Sequence, residues 1–366
     1  MSVYTRAVRP ALFALDAERA HELTIAALQR ATIVNALRWL PDGRLVTRLP
    51  QTVFGLNFGN PLGLAAGLDK QGTAVPAWTA LGFGFAEIGT VTPMPQSGNA
   101  KPRLFRLPRD RAIINRFGFN SVGAERVARN VASGVRRRAE TLAPFRLGIN
   151  IGKNKETANE RAAEDYVRTI DALSAHADYF AINVSSPNTA GLRDLQESHT
   201  LRTLVQQVVT RVGERSPTRR IPVLVKISPD MADADLLRSV DSAVEGCAVG
   251  VIATNTTVAR PNLQSGPMTT EAGGLSGAPL KATANSVCSL LFRHLGKGIP
   301  IVGVGGIFSA DDAYERIRSG ATLIQVYTAL VYEGPGLVRQ VLTGLEERLT
   351  NDGFSTINEA IGVDVH

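Results

Sequence analysis

Residues 179–193 read YFAINVSSPNTAGLR, a strand and turn whose pattern recurs along the chain. Tyr179, Phe180, Ile182 and Val184 form a short β-prone run that Ser-Ser-Pro-Asn then breaks, so a strand ends in a polar loop. The turn gathers Asn183, Ser185, Ser186 and Asn188, groups that donate and accept hydrogen bonds without carrying charge. Taken alone, such a turn is equally well explained by Ser and Asn capping the backbone. The rest of the chain decides between a cap and a ligand site.

The same unit recurs on both sides. Apolar β-like runs fall at 62–66 (LGLAA), 86–91 (AEIGTV), 147–151 (LGINI), 179–184 (YFAINV), 222–227 (PVLVKI), 249–254 (VGVIAT), 300–304 (PIVGV) and 322–327 (TLIQVY). Helix-like segments separate most of them, for example 158–175, 192–212, 233–245 and 310–319. Eight such alternations predict a closed parallel (β/α)8 TIM barrel rather than an open doubly wound sheet. In a barrel the chemistry gathers at the C-terminal ends of the strands. Those ends carry Ala66-Gly67-Leu68-Asp69-Lys70, Thr90, Asn150, Asn183 with Ser186 and Asn188, Lys226, Thr254-Asn255-Thr256, Gly305-Gly306 and Tyr327-Thr328. Glycine, hydroxyl, amide and lysine dominate them, which favours a site over ordinary surface loops.

Only seven lysines occur, and Lys70 and Lys226 both stand at strand ends, where a compact cation can face developing negative charge or form a salt bridge across the barrel mouth. Gly305-Gly306 admits an anion to backbone amides, with Ser309 or the helix opening at Ala310 behind it. Ser186 has no histidine at any strand end and no GxSxG elbow, which disfavours a Ser-His-Asp hydrolase. The 92–123 segment is too long for an ordinary βα loop and reads as a lid in which Asn115, Asn120 and the Gly118 backbone cover a ligand, or as a packed hairpin.

Composition closes off other classes. The net charge of +7 is dispersed, and Arg136–Arg138 reads as a solvated helix face, so nucleic-acid binding is not expected. Cys247 and Cys288 make no disulfide framework or CxxC, which suits a reducing compartment, and the five scattered histidines form no metal motif. No apolar span of transmembrane length and no secretory signal is read. Residues 1–45 form a separate helical extension. Asp16 is placed as an N-cap before Ala20, Leu23, Ala27 and Leu28, and a second helix carries Ile33, Val34, Leu37 and Leu40 with Trp39 up to Pro41-Asp42-Gly43. Periodicity leaves open whether this extension packs on the barrel or lies on a membrane. The barrel is assigned to 46–345 and a tail to 346–366.

GLAAGLDK (63–70), IGTVTPMPQSGNAKPRLFRL (88–107), INRFGFNSVG (114–123), LGINIGKNK (147–155), AINVSSPNTAGLR (181–193), VIATNTT (251–257), GGLSG (273–277) and VGVGGI (302–307) together resemble dihydroorotate dehydrogenase, over about residues 4 to 340. LDAERAHELT (15–24), and serine rather than cysteine at 186, resemble its quinone-dependent class 2 branch. The resemblance implies oxidation of dihydroorotate to orotate in pyrimidine synthesis, with FMN as cofactor and ubiquinone or menaquinone as acceptor. It implies FMN contacts at Ala66, Gly67, Leu68, Asp69, Lys70, Thr90, Asn150, Asn183, Lys226, Thr254, Gly277, Gly306, Tyr327 and Thr328. Substrate contacts are implied at Lys70, Asn115, Arg116, Phe117, Gly118, Phe119, Asn183, Asn188, Asn255 and Thr256, with Ser186 as base. It further implies a monomer attached peripherally, by its N-terminal helices, to the cytoplasmic face of the bacterial membrane. Phe117, Ser121 and Ala190 depart from the family pattern. Another FMN-dependent barrel oxidoreductase and a catalytically silent membrane-bound barrel are the competing readings.

Overall fold

The computed structural model describes residues 2–39, 49–138, 144–189 and 191–366. All eight expected strands are present: β1 (Leu62–Leu64), β2 (Phe85–Val91), β3 (Arg146–Ile151), β4 (Tyr179–Asn183), β5 (Val223–Lys226), β6 (Gly250–Ala253), β7 (Ile301–Val304) and β8 (Ala321–Val326). Each pairs in parallel with its sequence neighbours, and β8 pairs with β1, closing the barrel. The strands read as continuous apolar runs because both faces are buried, one against the barrel axis and one against the helices.

The barrel axis is filled by Phe58, Phe85, Tyr179, Leu224, Ile252, Val302 and Leu323. Glycines make room for the rings: a Cβ at Gly63 would fall 2.3 Å from the Phe85 ring, and one at Gly148 would fall 2.1 Å from that of Tyr179. Phe58 and Phe85 meet edge to face, 5.4 Å between centroids. The Gln51–Val53 and Leu56–Phe58 hairpin brings Phe54 and Phe58 to this core. The helix expected at 233–245 is Asp233–Glu245; that expected at 192–212 divides into a short turn, Leu192–Gln196, and a helix, Ser198–Arg215.

The long segment after β2 forms Leu104–Leu107 and Ala112–Asn115, which join Gly274–Gly277 in a three-stranded antiparallel sheet. Both readings of this segment therefore hold in part, since the packed sheet also walls the site. The N-terminal helices Ala17–Leu28 and Ala31–Trp39 lie at the same end of the barrel. Asp16 caps the first by accepting from the amides of Glu18 and Arg19, each at 3.0 Å. The Tyr4 hydroxyl donates to the Val331 carbonyl at 2.7 Å, and Arg106 donates to that of Leu12 at 2.9 Å. The extension thus packs on the barrel, with Val34 against Ala77 and Ala80. Leu40 and Pro41-Asp42-Gly43 lie outside the described residues, as does Ala190. At the other terminus the 345/346 boundary falls inside the helix Leu337–Asn351, and Ile357 and Ala360 are buried in the core beyond it.

Candidate active site

The C-terminal strand ends surround a cleft with about 1020 Å³ of open space. Ala66, Gly67, Lys70, Thr90, Asn183, Ser186, Asn188, Lys226, Thr254, Asn255, Thr256, Gly306, Tyr327 and Thr328 line it, as do Asn115, Phe117, Gly118, Phe119 and Gly277 from the covering sheet and loop. Sites read from seven of the eight strand ends therefore converge on one cavity.

Six candidate residues do not line it. Asp69 is sealed beneath, its carboxylate accepting from the amides of Thr73 and Ala74 and from the Trp78 indole at 2.9–3.0 Å. Leu68 faces a second cavity. Arg116 turns away to Glu271 at 2.6 Å and lies over the Phe105 ring. Asn150 acts from behind: its Oδ1 accepts from Thr90 Oγ1 at 2.6 Å and from Asn183 Nδ2 at 3.0 Å. Ser309 is a cap rather than a ligand, accepting from the Asp312 amide at 3.1 Å. Asn120 also lies outside the lining.

Neither lysine of the cleft makes a salt bridge among the described residues, which removes that alternative for them. The Lys70 ammonium sits 3.9 Å above the centre of the Phe117 ring. Burial, reinforced by the nearby Arg103 charge, brings its pKa down to about 7. Lys226 is the more deeply buried of the two, and burial lowers its pKa as well. Ser186 Oγ accepts the Asn188 amide at 3.2 Å, a bond that strengthens as negative charge gathers on the oxygen. At β7, Gly305 and Gly306 have φ of +112° and +75°, and a Cβ on Gly306 would lie 2.4 Å from Lys281 Cα. Only glycine lets this backbone curl with its amides free for an anion.

Behind Tyr327 lies a second cavity of about 940 Å³ between the N-terminal helices and the barrel. Its walls are mostly apolar, among them Leu12, Phe13, Ile25 and Leu28, with His21 and Arg106 as polar exceptions. Tyr327 and Ile113 line both cavities. Burial first, and then the Lys70 charge, lowers the His21 pKa to about 4, so the imidazole is neutral at pH 7. The amphipathic faces of 17–39 signal apolar packing but not this gap, and no motif marks His21 or Arg106 as a site residue. Gln325 and Ser276, which line the cleft, and Glu87 beneath it are likewise absent from the residues expected at the site.

Fold and cleft define a (β/α)8-barrel enzyme. The family model for dihydroorotate dehydrogenase matches residues 48–349. A relative named dihydroorotate dehydrogenase (quinone), from Anaeromyxobacter dehalogenans, is 48% identical over 98% of this chain and 96% of its own. One of the same name from Deinococcus deserti is 47% identical over 99% of this chain and all of its own. Among solved structures, DHODH from Eimeria tenella in complex with ferulenol superposes with a TM-score of 0.88 at 39% identity, covering 95% of both chains. The chain belongs to the dihydroorotate dehydrogenase family, in its quinone-dependent branch.

Proposed function

We propose that the enzyme oxidises dihydroorotate to orotate in the cleft, with FMN as its cofactor, and passes the electrons to a quinone in the apolar cavity. The observation that carries this reading is the pair of cavities with Tyr327 and Ile113 as common wall. One bears lysines, amides and hydroxyls, the other is almost wholly apolar, and two ligands of different character would face each other across a single layer of side chains.

The donor set fits FMN. Gly305, Gly306 and Thr328 suit its phosphate, Lys226 suits a ring that becomes anionic on reduction, and the buried Gln325 Oε1 has no partner among the described residues and suits a ring or ribitol donor. When bound, FMN supplies a two-electron acceptor for the hydride leaving substrate C6. The protein's own part is positional and protonic. Asn115, Asn183, Asn188 and Asn255 offer amides to the pyrimidine, and Lys70 faces its carboxylate. Ser186 Oγ takes the C5 proton, and Lys226 balances the charge that builds opposite it.

The N-terminal extension supports peripheral attachment to a membrane. Val3, Val8, Leu15, Leu23 and Ile33 are exposed on it, beside the cavity that would admit the quinone tail. No helix among the described residues is long and apolar enough to cross a bilayer. Anaerobic dihydroorotate should bleach the flavin of the purified enzyme, and a short-chain quinone should restore its colour. Bound FMN that dihydroorotate leaves oxidised would overturn the proposal in favour of another substrate, and protein isolated without flavin would favour a silent barrel.

A further inference from the structure

Three side-chain amides run head to tail under the cleft, all in one direction. Asn255 Nδ2 donates to Asn183 Oδ1 at 3.2 Å, Asn183 Nδ2 donates to Asn150 Oδ1 at 3.0 Å, and Asn150 Nδ2 donates to Glu87 Oε1 at 2.9 Å. Glu87 is fully buried in β2, and its other oxygen accepts from Tyr179 OH at 3.2 Å and from Gln325 Nε2 at 3.0 Å. No cation among the described residues comes within ion-pair distance of it.

An amide can turn over and exchange donor for acceptor, but a carboxylate can only accept. The end of the chain therefore sets the sense of Asn150 directly, and the donor-only amides of Ser185 and Thr256 hold Asn183 and Asn255 in the matching sense. With Asn150 Nδ2 held by Glu87, its Oδ1 must face Thr90 and Asn183; Asn183 Oδ1 must then face Asn255 and Ser185. The same carboxylate holds Gln325 by its nitrogen and leaves Oε1 free. Tyr179 on β4 and Lys226 on β5 are the titratable groups that face Glu87, and its charge opposes the loss of the Lys226 proton that burial favours.

We infer that Glu87 is a positioning residue for the reaction: an acceptor-only terminus beneath the site that fixes the orientation of Asn150, Asn183, Asn255 and Gln325 toward the bound ligands. It touches no ligand itself. The inference rests on the dihydroorotate reading above, and the test separates the two.

Flavin-loaded Glu87→Gln retains the volume but lets the terminus donate as well as accept. Orotate affinity, read from the flavin absorbance change, should fall about tenfold, and anaerobic bleaching by dihydroorotate should slow about a hundredfold. FMN content should stay near wild type. Adding Asn150→Asp moves the acceptor-only group one link up, restores the sense of Asn183 and Asn255, and should recover most of the lost orotate affinity. Normal binding and bleaching in E87Q, or no recovery in the E87Q/N150D pair, overturns the inference. If E87Q does not fold, Glu87→Asp carries the test, because it keeps the carboxylate but withdraws it from Asn150 Nδ2. Weakened orotate binding in E87D supports the role and unchanged binding overturns it. Wild-type enzyme that fails to bleach would instead sink the substrate assignment alone.

Discussion

Glu18 links the N-terminal extension to the long segment after β2, and neutralising it tests whether the two are mechanically one unit. Its carboxylate meets Arg103 at 2.8 Å, with both side chains less than a tenth exposed. The same guanidinium donates to the carbonyls of Ser97 at 2.6 Å and Asn99 at 2.8 Å, and Asn99 in turn donates to the Asn188 carbonyl at 3.1 Å. Breaking a buried pair from one side costs about 3–5 kcal/mol. In Glu18→Gln the amide still accepts one bond and Arg103 keeps its two carbonyls, so the low end applies, about 3 kcal/mol. At roughly 2 °C per kcal/mol for a chain of this size, the melting temperature should drop by about 6 °C. A second consequence reaches the cleft. Glu18 raises the Lys70 pKa while Arg103 lowers it, so losing Glu18 leaves Arg103 unopposed and takes Lys70 below about 7. Orotate, an anion, should then bind more weakly at pH 7. Differential scanning fluorimetry and a flavin-monitored orotate titration read the two effects. An E18Q enzyme that melts with wild type and binds orotate equally well would refute the link.

Ser186→Ala should keep FMN and bind orotate nearly as wild type, yet slow flavin bleaching by about 10²–10⁴-fold in single-turnover absorbance. Gly306→Ala places a non-glycine residue at φ +75° with its Cβ 2.4 Å from Lys281 Cα; backbone strain alone costs about 1–2 kcal/mol, and the protein should purify with reduced FMN content. In wild type, orotate affinity should weaken as pH rises through about 7, because the Lys70 cation is lost in that range; Lys70→Met should abolish this dependence in the same titration. His21 is half-buried and held neutral, with a folded pKa of about 4 against 6.5, so below pH 6.5 the unfolded chain takes the proton first. Stability should therefore be full above pH 6.5 and fall toward pH 4, and His21→Phe should flatten that limb in urea melts at stepped pH.

The barrel was legible because its strands are buried on both faces and so read as unbroken apolar runs, a pattern that needs no tertiary knowledge. Placing those runs in order was enough to gather fifteen strand-end residues in one cleft. Residues whose roles depend on which neighbour claims them were not legible. Ser309 before a helix reads as cap or ligand alike, and the Asp312 amide decides it. Arg116 lies in the lid motif beside true lining residues, but Glu271, more than 150 positions away, takes its guanidinium. The apolar cavity is a gap between faces, and periodicity reports faces only.

Glu87 is the instructive case, because a signal was present. An acid inside AEIGTV, a run otherwise fit for complete burial, breaks the pattern that identifies the strand. A buried carboxylate must be satisfied, so its presence demands donors from other strands at the same depth of the barrel. The structure supplies them from β3, β4 and β8, as Asn150, Tyr179 and Gln325. Each of those residues is itself a polar or ring-hydroxyl interruption in an apolar run. Polar exceptions in doubly buried strands are therefore to be read together, as donors and acceptors of one interior network, before any one of them is set aside as noise.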